Sequence, residues 1–135
     1  MLSQEDLEKL IVERLSEAQI LHDAGKYGGA IYLCGYTVEL GLKYIILRDQ
    51  LCGFPEDDDE FKLYEKVKTH NLQKLFDILD KKELKDNKTF WSAWGEVLKW
   101  KPGIRYSRID EVTEESSSGM LDSARAILKQ LGVSI

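Results

Sequence analysis

The stretch 27–47, YGGAIYLCGYTVELGLKYIIL, constrains this chain more than any other. It is apolar on almost every side of a helix, yet it holds Glu39, Lys43 and several glycines. A helix that is apolar nearly all round has to lie inside a fold, with neighbours on more than one face. Ile31, Cys34, Val38, Leu42 and Ile45 recur at helical spacing as one stripe, and Tyr32, Tyr36, Leu40 and Tyr44 form a second stripe beside it. One helix then serves two partners. Gly28 and Gly35 lie seven residues apart on one side. A glycine costs a helix interior about 0.5–1 kcal/mol relative to alanine, so close approach of another backbone is expected there. The run reads as the core helix of an all-α domain.

The rest of the composition agrees with a single helical domain over residues 1–135, with 43% hydrophobic and 32% charged residues. A bilayer span would place Glu39 and Lys43 in hydrocarbon, at about 2.5–3.5 kcal/mol each even on the lenient insertion scale, so none is expected. The N-terminal residues lack the basic flank, apolar core and cleavage site of a signal peptide. Cys34 and Cys52 are the only cysteines and are expected to be reduced thiols. The expectation is a cytoplasmic protein with no metal and no cofactor. A net charge of −5 argues against general DNA binding, which depends on neutralising phosphates. The charge is uneven, however. Residues 56–60 read EDDDE, whereas Lys99, Lys101, Arg105 and Arg108 fall within ten residues of one another.

Periodicity and capping residues divide the chain further. Ser3 can cap a first helix carrying Leu7, Ile11, Leu15, Ala18 and Leu21, with Glu5 and Asp6 beside its positive end. Gly25 ends that helix so tightly that the second must return antiparallel. The second helix is predicted to run to about Leu51, stopped by Gly53 and Pro55, with a solvated acidic loop after it. Phe61, Tyr64 and Val67 allow a short helix. Leu72, Leu75, Phe76 and Leu79 define a third amphipathic one, followed by a polar loop over 83–88. A further short helix from about Thr89 carries Trp91, Trp94, Val97 and Leu98 and is broken by Pro102-Gly103. The last begins near Thr113, buries Leu121, Ala124, Ile127, Leu128 and Leu131, and stops at Gly132. The sum is an up-and-down four-helix bundle with one or two short extra helices.

The order AQILHDAGKYGGAIYLCGYTVELGLKYIIL, then KTHNLQKLFDIL, then WKPGIRYS ahead of a last amphipathic helix resembles the HEPN domain family. The resemblance spans about residues 5–131. It rests on the Gly-Lys-Tyr hairpin turn, the Tyr-x-x-Glu-x-x-x-Lys pattern, the His-Asn-Leu opening of the third helix and an Arg-Tyr pair after Trp-Lys-Pro. It implies a four-helix bundle that dimerises and binds nucleotides or acts on RNA. It also implies a partner, a minimal nucleotidyltransferase, in a toxin–antitoxin or substrate-binding pair. The nuclease members carry an Arg followed, after four to six residues, by a His near the start of the last long helix. Here those places after Arg105 hold Asp110, Glu111 and Val112, and those after Arg108 hold Thr113, Glu114 and Glu115. His22 follows Arg14 one residue too late and lies on another helix. Metal-free RNA cleavage by the usual route thus lacks its imidazole, and the chain resembles a non-nuclease branch.

The candidate ligand site is an anion site at Lys99, Lys101, Arg105, Tyr106 and Arg108, where positive charge and loop amides ahead of a helix suit a phosphate. The plainer alternative is a solvated basic loop. His70 and Trp100 are possible accessories. His70 also fits a capping role at Asn71 and Leu72, and the tryptophans fit a core or dimer face as well as base stacking. Glu39 and Lys43, at i and i+4, can simply pair. Asp57–Asp59 lack the ligand spacing of a calcium loop. The leading expectation is a noncatalytic HEPN-like homodimer, joined through its first or second helix, that binds a nucleotide, RNA or a nucleotidyltransferase. The alternatives are an RNA-cleaving toxin using Arg105 with a displaced His70, and a helical adaptor with no small ligand.

Overall fold

The computed structural model describes residues 3–51, 56–79, 81–99 and 112–135. All regular structure among them is helical: α1 (Gln4–Asp23), α2 (Tyr27–Ile46) extended by a π-helical turn (Leu47–Leu51), α3 (Asp58–Val67), α4 (Leu72–Leu79), α5 (Lys82–Lys85), α6 (Lys88–Leu98) and α7 (Glu114–Leu131). The protein is an all-α helical bundle built around α2, which packs against α1, α4 and α7, while α6 packs on α7.

The helix ends are set by local chemistry. Ser3 and Asp6 close a reciprocal capping box at α1, with the Asp6 amide donating to Ser3 Oγ over 3.1 Å. Thr113 and Ser116 do the same at α7. Gly25 (φ +78°) makes the α1–α2 turn and Gly132 (φ +86°) ends α7, both in the left-handed region that a side chain disfavours. The EDDDE segment forms no loop beyond Glu56. Asp57 Oδ1 accepts from the Glu60 amide at 2.8 Å and caps α3, and Asp58, Asp59 and Glu60 fill its first turn, where negative charge suits the positive helix end. Nor is 83–88 simply a loop, because α5 buries Leu84 to 2% exposure.

The first stripe of α2 is dry: Ile31, Cys34, Val38, Leu42 and Ile45 are all buried. The second sinks into the core along its length, from exposed Tyr32 through half-buried Tyr36 to buried Leu40 and Tyr44. The close approach falls elsewhere than Gly28 and Gly35. A Cβ on those residues would meet only ordinary contacts, 3.9 Å from Val112 Cγ2 and 3.7 Å from Met120 Cε. At Gly41 it would lie 2.5 Å from Leu128 Cδ2, so Gly41 is where α2 and α7 press together. The run Tyr27–Gln50 is long and apolar enough to cross a membrane, yet 72% of its apolar window is buried in the bundle, which accounts for its composition. Phe76, Phe90 and Trp94 stack with ring centroids 5.1–5.7 Å apart where α4 meets α6. Trp94 is therefore core, whereas Trp91 is partly exposed and donates its indole N–H to the Lys85 carbonyl.

Candidate functional site

A carboxylate on a core helix needs donors, and Glu39, only 6% exposed, finds two. Lys43, one turn on along α2, places Nζ 3.1 Å from Oε2. His70, from the short connection between α3 and α4, places Nδ1 3.1 Å from Oε1 and 3.2 Å from Oε2. That connection is fixed by its own hydrogen bonds. The Asn71 amide donates to Thr69 Oγ1 at 3.1 Å, and Asn71 Oδ1 accepts from the Lys74 amide at 3.0 Å, capping α4. The backbone around His70 is thus held by Thr69 and Asn71, and its ring is held by Glu39.

This geometry fixes the imidazole chemically. An ionised carboxylate can only accept, so the proton of neutral His70 resides on Nδ1 and Nε2 keeps its lone pair. The His70 side chain is 80% exposed, whereas those of Glu39 and Lys43 are 8% and 19% exposed. A buried carboxylate with one cation on its own helix therefore orients a ring that stands in solvent.

Of the expected anion site, Lys99 lies at the C-terminal end of α6, where Nζ pairs with Glu96 Oε2 at 3.1 Å. Exposed pairs of this kind contribute little, so the ammonium can be released to another anion. Trp100, Lys101, Arg105, Tyr106 and Arg108 lie outside the described residues. Between α6 and the start of α7 runs an open groove of about 550 Å³, walled by Glu96, Glu115 and Asp122 and by the hydroxyls of Ser92, Thr113 and Ser123.

His22 clasps α1 to α7. Its Nδ1 is 2.8 Å from the hydroxyl of fully buried Ser117, and its ring packs on Tyr27 with centroids 5.6 Å apart. Cys34 is buried in the dry stripe, and desolvation pushes its thiol up to about 12 against a smaller opposing effect of Arg125. It stays protonated and inert at neutral pH. No group of three or more metal-ligating side chains occurs among the described residues.

Sequence reasoning singled out Glu39, Lys43 and His70, but only the Glu39–Lys43 pair could be read from spacing. The link to His70 joins positions 31 residues apart. The available signal was a carboxylate on an apolar helix with a single cation within reach. No protein-family model, no curated protein and no solved structure matches this chain.

Proposed function

We propose that this chain is a noncatalytic HEPN-like bundle that binds the phosphates of a nucleotide or RNA through the basic segment around Lys99–Arg108, and works beside a partner nucleotidyltransferase. The observation that carries this reading is the contact between His70 and Glu39. Two of the separate sequence patterns behind the resemblance, Tyr-x-x-Glu-x-x-x-Lys on α2 and His-Asn-Leu at the start of α4, meet in one cluster. The hairpin at Gly25 and the position of the Trp-Lys-Pro to Arg-Tyr segment between α6 and α7 support the same order. The test is anisotropy titration with ATP, GTP and short RNA oligonucleotides. Saturable, salt-sensitive binding that falls at least tenfold in the Arg105→Ala, Arg108→Ala double variant is expected, since each phosphate contact adds to the salt slope. Absence of binding to every ligand would favour the adaptor alternative.

The oriented, exposed imidazole favours one further reading, metal-independent RNA cleavage with His70 as general base and Arg105 stabilising the phosphate. Cleavage of RNA in the presence of a chelator, lost in both His70→Gln and Arg105→Ala, would replace the noncatalytic reading.

A further inference from the structure

Although α3 is ten residues long, it buries one side chain, Val67. Leu63 and Tyr64 lie half-buried against the core and Phe61 is 44% exposed. The shorter α4 buries three, Leu75, Phe76 and Leu79. Several contacts that shape α3 are internal to it: the Asp57 cap on the Glu60 amide, the Glu56 amide on Glu60 Oε2 at 2.7 Å, and Lys68, whose Nζ pairs with Glu65 at 3.2 Å and stands 4.7 Å from the Tyr64 ring centre. These survive if the helix leaves the bundle. Its ties to the bundle gather at the carboxyl end, with Val67 in the core and, three residues on, the His70 ring on Glu39. Asn71 belongs to α4, whose Lys74 amide it caps, so a hinge falls between Val67 and Asn71. A helix this short is marginal in water by itself, and segments that bury little open before the rest of a fold.

We propose that α3 is a releasable strap and that the His70–Glu39 contact is its latch. With the strap closed, the α3–α4 connection lies against α2 and the imidazole is held with its proton on Nδ1. When α3 lifts as a unit, the ring leaves Glu39 and turns freely. The carboxylate keeps Lys43, 3.1 Å away on its own helix, so the buried charge is never left alone. The two events are linked, and the factor by which loss of the latch favours opening is the factor by which opening weakens the latch. The strap thereby decides whether an exposed imidazole is oriented or free. None of this depends on the basic segment or on the HEPN-like reading.

Amide hydrogen exchange of the whole chain, resolved by NMR or mass spectrometry over a series of low urea concentrations, tests this. The hydrogen-bonded amides of α3 should exchange about a hundredfold faster than those of α2 and α7. Their rate should hardly change with urea, because lifting one helix exposes little surface, whereas the α7 rate should climb. In Val67→Ala, which loosens the buried tie, α3 exchange should rise about tenfold. In His70→Ala, a change at a side chain 80% exposed and therefore harmless to folding, it should rise about two- to fivefold. Exchange of α3 at the α7 rate with the same urea dependence would mean that the helix opens only when the whole bundle does, and would overturn the strap. Unchanged α3 exchange in His70→Ala would mean that α3 opens with the ring still on Glu39, and would overturn the latch.

Discussion

Glu39 and Gly41 are two residues apart on α2 and turn to opposite neighbours, and the two contacts they make could hardly differ more. Gly41 meets Leu128 of α7 so closely that not one carbon can be added without moving that leucine. Glu39 meets His70 and Lys43 across a seam that is held by charge and opens to solvent. The dry seam is held by shape, which tolerates little change in volume. The polar seam is held by partners of a buried carboxylate, whose removal leaves that charge unpaired. A single helix therefore anchors the bundle on one side and leaves the other side free for chemistry.

The sharpest way to break this contrast is at the dry seam. Gly41→Ala should destabilise by about 1–3 kcal/mol, since overpacking outweighs the gain in helix propensity. In the Leu128→Ala background the same change should become neutral or favourable by about 0.5–1 kcal/mol. Urea unfolding of the four proteins measures this directly, and equal cost in both backgrounds would remove the close approach from the account. The same seam should also show an alkaline effect. The folded state holds the Cys34 proton up to about pH 12, against 9.0 for an unperturbed thiol. The unfolded chain therefore gains on ionising first. Stability is complete below pH 9 and should fall from there towards pH 12 by up to about 1.4 kcal/mol per pH unit. Cys34→Ala should flatten that slope, leaving the smaller contribution of Tyr44, whose phenol burial and then Glu8 also raise. Smaller again is the α7 cap, remote from both seams. Thr113→Ala should cost about 1 kcal/mol, as thermal unfolding would show.

How much of this was legible in the sequence depended on how local its cause was. The caps at Ser3 and Thr113, the stops at Gly25 and Gly132 and the buried faces of α1, α2 and α7 follow from spacing and residue type, and the structure has them where spacing puts them. EDDDE was read by its charge alone, although an aspartate ahead of Phe61, Tyr64 and Val67 is also a helix start that welcomes carboxylates. Leu84, one apolar residue among polar ones, offers no period, so α5 exists through tertiary burial. A helical wheel shows which side a glycine is on but not how near a neighbour passes. That is why Gly28 and Gly35 looked tight and Gly41 is. For the candidate site, His70 and Glu39 were each visible as unusual residues. Their contact depends on how the α3–α4 connection lies across α2, and no periodicity encodes that.

The polar seam is the part of the molecule on which the proposed function rests. The most direct test is a double-mutant cycle of Glu39→Gln and His70→Gln, measured by urea unfolding at low and high salt. The account predicts a favourable coupling of about 0.5–1 kcal/mol at low salt that shrinks as salt screens the charges. Strictly additive effects at both salt concentrations would mean that His70 and Glu39 do not hold each other, and would contradict it.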